Sequence, residues 1–317
     1  MRFPDRIDVH HHIVPPMWSN ALYLHGREFL GKRFDGLPSL GWGVDSALSM
    51  MDEQGVAASI LSVTSPGVHL GDREQARGLA RSANEYTAQA VEAHPERFGF
   101  FASLPLPDVE AAVAEAAYAL DTLGADGVVL MSNVRGAYPG ADDHEPLWAE
   151  LDRRKAVVFL HPAQPPLPLL HDTAGPLVDY VYDTTRAAVD LVLGGVLRRH
   201  PDVKIILAHG GGFLPYAAHR FAGLAPAVGE TTRDADELIE DFARFYFDTA
   251  LSAGPAALPS LLAFARPGHL LFGSDWPVAP AEVGASQREF LEAYPCDDAV
   301  MKAVNRGNAA ELFPRFA

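Results

Sequence analysis

Positive charge is in short supply in this chain: 25 Lys and Arg stand against 41 Asp and Glu, for a formal charge of −16 over 317 residues. A chain of that balance repels phosphate backbones and anionic membrane surfaces, which excludes nucleic acid as the expected partner. Cysteine is nearly missing. Cys296 has no second thiol to pair with, so no internal disulfide is available and a reducing, cytoplasmic setting is expected. No basic-then-apolar signal pattern opens the chain, and no apolar run reaches the roughly 18 residues that a spanning helix needs. Short repeats and low-complexity tracts are absent too.

What remains is an ordinary globular balance, 48% hydrophobic and 21% charged, and a regular rhythm. Short apolar runs alternate with helical patterns: "AASILSV", "RFGFFAS", "DGVVLMS", "AVVFLHP", "KIILAHGGG", "RFYFDTA" and "HLLFGSDWP" follow a first run, "IDVHHHIV". Between them, helices are expected at "VDSALSMMDEQG", at about 73 to 94, at "DVEAAVAEAAYALDTLG" with Asp108 as cap, and at "PLWAELDRR". Further helices are expected at about 177 to 199 and 234 to 243. Eight strand–helix units without a linker over residues 1–317 predict a TIM barrel in a single domain. The competing doubly wound sheet lacks its phosphate-binding fingerprint, G-x-G-x-x-G after the first strand. The segment Pro15 to Gly43 breaks the rhythm and is expected to be a long lid-like insertion. Trp18, Tyr23, Phe29, Phe34 and Trp42 are scattered through it, and of these Trp18, Tyr23, Phe29 and Trp42 suit either a planar substrate or the packing of the insertion itself.

Three consecutive histidines in the first run raise the question of function. Strand alternation puts Asp8, His10 and His12 on one face and Val9, His11 and Ile13 on the other. That pattern suits a hydrogen-bonded strand end or half of a metal site. The distal residues decide between them: His161 ends the fifth run, His209 the sixth and Asp275 the eighth. In a TIM barrel these positions gather at the C-terminal mouth. Imidazole nitrogen and carboxylate oxygen suit zinc or manganese, and three or four protein ligands with an open position define a catalytic site. His11 points away from that face and is expected to pack.

D-x-H-x-H in the first run, histidines ending the fifth and sixth, and Asp ending the eighth resemble the amidohydrolase superfamily. "HGGGFLPY", "GSDWP" and "GNAAELF" are similar to its metal-dependent decarboxylase branch, which contains aminocarboxymuconate-semialdehyde and hydroxybenzoate decarboxylases. "SLGWGVDSALSMMDEQGVAASILSVTSPGV" is most similar to the 6-methylsalicylate decarboxylases of that branch. The resemblance implies one divalent ion, Zn2+ or Mn2+, on His10, His12, His161 and Asp275, with His209 as acid/base and Asp275 sharing the proton chemistry. It also implies that Arg220 reaches into the neighbouring subunit's pocket to hold a substrate carboxylate, hence a homodimer or larger. "DGVVLMSN" lacks the bridging lysine of binuclear members, which favours one metal. "LGWGVDSAL" lacks an arginine found in members that bind two carboxylates, which favours a small substrate with one acidic group. Decarboxylation of a 2-hydroxybenzoate or muconate-type acid is the expected activity; hydrolysis of a lactone or hydration is the alternative, and an inactive binding module a third.

Overall fold

A computed structural model of the chain describes residues 5–25, 28–29, 32–33, 41–168, 170 and 173–317. After β1 (Arg6–His12), the two-residue strands β2 (Glu28–Phe29) and β3 (Lys32–Arg33) pair only with each other. Seven more follow: β4 (Val56–Ser62), β5 (Phe98–Ser103), β6 (Gly127–Met131), β7 (Val157–His161), β8 (Lys204–Leu207), β9 (Tyr246–Asp248) and β10 (Leu270–Leu271). With β1 they form one eight-stranded sheet in the order β1-β4-β5-β6-β7-β8-β9-β10. Neighbours run parallel throughout. The last strand closes on the first by irregular backbone bonds: Val9 N–H to Phe272 O at 3.0 Å, His12 N–H to Trp276 O at 2.7 Å and Asp275 N–H to His10 O at 2.8 Å. The result is the TIM barrel that the eight apolar runs predicted.

Two apolar layers follow from strand alternation. Inside the barrel lie Ile7, Val9, Ile60, Phe101, Val129, Phe159, Ile206 and Leu271, and Phe313 and Phe316 near the C-terminus join that cluster. The opposite strand faces, with Phe98, Phe100, Leu130, Leu160 and Leu207 among them, pack under the helices. The alternation expected of β1 fails at one point. A register shift between Asp8 and His11 leaves Val9 inside with Ile7, whereas Ile13 belongs to the outer layer. An irregularity of this kind adds a residue to one strand and resets its phase. His10 and His12 therefore still share the inner face.

Helix ends obey local chemistry. Asp72, Asp108 and Asp234 cap the helices Arg73–Ala93, Val109–Asp121 and Ala235–Phe242 by accepting backbone N–H bonds, and Asp234 forms a reciprocal capping box with Glu237. The helix expected over 177 to 199 is two, Gly175–Leu193 and Val196–Arg199, because Gly195 adopts φ of 73° and breaks the run.

The expected lid is partly helix: Pro16–Leu24 starts on a proline at its N-terminus. Trp18 is buried and donates its indole N–H to Gly67 O at 2.9 Å. Trp42 is buried against Tyr86, ring centroids 6.5 Å apart. Both pack the insertion; Tyr23 is exposed. Phe34 and the side chain of Phe29 lie outside the described residues.

Candidate metal centre

Each predicted site histidine reaches the mouth by a different route. His10 and His12 end β1 and His161 ends β7, all on the inner face. His209 and Asp275 follow β8 and β10 with φ of 53° and 60°, a left-handed conformation that costs non-glycine residues about 1–3 kcal/mol. Gly210, Gly211 and Gly212 continue the same turn at positive φ. A Cβ on Gly212 would sit 2.1 Å from Val181 O, so glycine is required for the turn to approach the helix Gly175–Leu193.

His10, His12, His161 and Asp275 are all buried, and one ligand atom from each falls within 4.8 Å of all the others. His10 Nε2 and His12 Nε2 stand 3.0 Å apart. Asp275 Oδ1 is 3.3 Å from the former and 3.0 Å from the latter. The far side of each ring is already committed. His10 Nδ1 lies 2.7 Å from Asp248 Oδ2, His12 Nδ1 3.3 Å from Ser62 O and His161 Nδ1 2.9 Å from Pro162 O. Carbonyls and carboxylates only accept, so Nδ1 carries a proton in each ring, and Nε2 presents a lone pair inward wherever the ring is neutral. Lone pairs facing each other at 3.0 Å repel unless a proton or a metal cation lies between them. Asp275 Oδ1 is buried with no hydrogen-bond partner among the described residues. Three imidazole nitrogens and this carboxylate oxygen are a donor set that fits one divalent ion.

The electrostatics agree. Burial pulls the His10 imidazole down, but the Asp248 and Asp275 carboxylates outweigh it and push it up to about 10. Burial lowers His12, His161 and His209. For Asp275, burial opposes ionisation, yet His10 and His12 hold the carboxyl well below its usual range. Positive charge is thus favoured at His10, between the two carboxylates, while burial keeps His12, His161 and His209 neutral.

His209 stands beside the four. Its ring centroid is 4.8 Å from that of His10 and 5.9 Å from that of His161. Its Nδ1 lies 3.3 Å from Ala250 O. With His161 and Asp275 it lines a cavity of about 270 Å³ whose walls include Thr64, Ser65, Tyr180, Val181 and Val278. That is the small end of ligand-site volumes. None of Trp18, Tyr23 and Trp42 lines it. Neither does Arg220, which lies exposed on the helix Leu214–Ala227. His11 is on the outer side, buried against Trp276 with ring centroids 4.9 Å apart, and burial lowers it to about 3.

One functional residue escaped the sequence reading. Asp248 ends β9, is fully buried and orients His10. Its signal was present, an acid at the C-terminal end of the seventh run, the position that marked the others.

A family model described as amidohydrolase matches residues 7–315. The chain belongs to this family. Among curated relatives, the 6-methylsalicylic acid decarboxylase of Penicillium expansum is 43% identical over 322 residues, covering 98% of this chain and 96% of that one. Among solved structures, 5-carboxyvanillate decarboxylase from Sphingomonas paucimobilis aligns with a TM-score of 0.88 at 25% identity, over 98% of this chain and 99% of that one. A dihydroxybenzoic acid decarboxylase from Polaromonas, solved with manganese and 2-nitroresorcinol, shares the fold, with a TM-score of 0.78 at 24% identity over 98% and 97% of the two chains. These relatives bear out the amidohydrolase, barrel and decarboxylase expectations drawn from the sequence. No helix among the described residues is long and apolar enough to cross a membrane.

Proposed function

We propose that this amidohydrolase-family chain decarboxylates a 2-hydroxybenzoate of the 6-methylsalicylate type without an oxidant, releasing carbon dioxide. The carrying observation is that Asp275 and His209 line one small cavity directly beside a four-donor centre. His10, His12, His161 and Asp275 would hold one divalent ion, zinc or manganese, supplying a positive field for the substrate's carboxylate and neighbouring phenolate oxygen.

The remaining work falls to side chains. Apolar walls at Val181, Val278 and Leu177 hold a ring and an alkyl substituent edge-on and keep water from the reacting carbon. Asp275 delivers a proton to the ring carbon that bears the carboxylate. That carbon becomes tetrahedral, the bond to the carboxylate breaks, its electron pair restores aromaticity, and carbon dioxide departs. Asp275, ionised at rest, receives that proton from His209, which burial keeps neutral and which takes it from the substrate's carboxyl on binding, so the proton the carboxyl loses is the one the ring carbon gains.

No lysine or arginine of the chain lines the cavity among the described residues. Arg220, exposed on its helix, fits the role of a clamp offered to the cavity of a second copy, so the working unit is a homodimer or larger, acting in the cytoplasm.

The test is to incubate manganese-loaded and zinc-loaded protein with salicylate and 6-methylsalicylate in deuterated water. Carbon dioxide release with one deuteron on the product ring is expected. Consumption of base on a lactone panel with no gas from any benzoate would instead establish hydrolysis.

A further inference from the structure

Behind His161 lies a buried carboxylate that the proposed chemistry does not use. Asp183 is fully buried in the helix Gly175–Leu193, and among the described residues it makes no ion pair. Three side-chain donors converge on it instead. Ser132 Oγ–H and Asn133 Nδ2–H reach Oδ2, the latter at 2.7 Å, and Tyr138 O–H reaches Oδ1. Ser132 Oγ in turn accepts the Ala163 N–H at 2.8 Å. The Ala163 N–H and the Pro162 C=O are two ends of one peptide group, and that carbonyl is the partner of His161 Nδ1 at 2.9 Å. Ser132 also donates its own N–H to His161 O at 2.8 Å.

We propose that Asp183 is a positioning residue for the metal centre, acting on His161 through Ser132 and the peptide joining Pro162 to Ala163. The inference rests on His161 serving as a ligand. Every bond in the series points the same way: His161 Nδ1–H to carbonyl, peptide N–H to hydroxyl, hydroxyl O–H to carboxylate. Hydrogen bonds aligned head to tail polarise one another. Electron density supplied at Asp183 makes Ser132 Oγ a better acceptor, which polarises the peptide and strengthens the Pro162 carbonyl as acceptor. The His161 ring is thereby fixed with its proton on Nδ1 and a more basic lone pair on Nε2, the atom turned toward the centre. Of the other two rings, His10 meets an anion in one step at Asp248, and His12 meets the Ser62 carbonyl. His161 has only a backbone carbonyl next to it and receives its anion from further away.

The experiment measures Mn2+ affinity of the full chain by titration against a competing chelator, with thermal unfolding of the metal-free protein recorded alongside. Asp183→Asn and Ser132→Ala are each expected to lose about 10- to 100-fold in affinity, the scale seen when an outer partner of a ligand is removed. Combining them adds little, because both interrupt one series. Tyr138→Phe removes a donor from the same carboxylate without breaking the series and keeps affinity within about threefold of the parent. A merely structural role would move unfolding in all three and spare affinity in all three. His161→Ala separates the failures. If it loses affinity while Ser132→Ala and Asp183→Asn do not, or if those two losses add, the relay is overturned and the centre stands. If His161→Ala binds Mn2+ as the parent does, the ligand assignment falls and takes the relay with it. Should Asp183→Asn fail to fold, Ser132→Ala against Tyr138→Phe decides the matter.

Discussion

The two ends of the barrel are built from the same eight strands and to opposite rules. At the N-terminal end charged side chains are paired. The Arg6 guanidinium is fully buried and bonds Asn305 Oδ1 at 2.8 Å, Gln54 O at 2.7 Å and Glu292 Oε1 at 2.6 Å. Phe313 and Phe316 fill the interior beneath Phe101, and Arg315 pairs with Asp126 at 2.6 Å. At the C-terminal end, imidazole nitrogens face each other, an aspartate oxygen is orphaned, and the cavity residues His209, Leu251 and Asp275 sit at positive φ. Local strain and unmet polar valence are tolerated where the rest of the molecule holds them in place. The sealed end supplies that hold, and the open end uses it.

If this division is real, damage to the two ends should look different. The largest effect is expected at the mouth. Asp275→Asn removes the anionic donor and the acid together, and carbon dioxide release should fall by about a thousandfold or more; chelator treatment should do the same, and added Mn2+ should reverse only the latter. Retention of turnover in either case would break the comparison outright. Phe313→Ala, at the sealed end, should cost about 3–5 kcal/mol of stability, read by calorimetry, with metal content per folded chain unchanged. Loss of metal without loss of stability would show that the ends are not independent. Asp248→Asn frees the His10 ring and should weaken Mn2+ binding by about 10- to 100-fold while leaving unfolding of the metal-free protein nearly unmoved. Arg220→Ala should have the smallest effect, a rise in KM of roughly tenfold at unchanged metal content. An unchanged KM would remove the proposed contribution from a second copy.

The same division explains what could be read in the sequence. Apolar runs of fixed length reported the strands, and polar residues at their ends reported the mouth, because burial leaves few reasons for a histidine to follow "VVFL" or "IILA". Val9 was assigned to the wrong face because an alternation rule assumes one constant phase, and the register shift before His11 depends on pairing with β4. Trp18 and Trp42 left a substrate platform and packing of the insertion both open, since aromatic content does not tell which side of a segment turns inward; the Trp18 bond to the Gly67 carbonyl answers for packing. Asp248 and Asp183 went unnoticed for a further reason. Their partners, His10 and Ser132, are distant in the chain; the place of Asp248 at the end of the seventh run hinted at the mouth but not at its partner, and nothing local to Asp183 hinted at either.

The join between β10 and β1 has a consequence for how this protein is assembled. Asp275 donates its N–H to His10 O across that join, and its carboxylate meets the rings of His10 and His12 on the inner side. An ion seated there ties the last-made strand to the first-made one, like a clasp on a bracelet. It can fasten only after almost the whole polypeptide has emerged, and once fastened it resists the one opening motion a cylinder of parallel strands has available. Loading is then the last step of assembly, and a chain truncated before Asp275 would have three imidazoles and nothing to close them on.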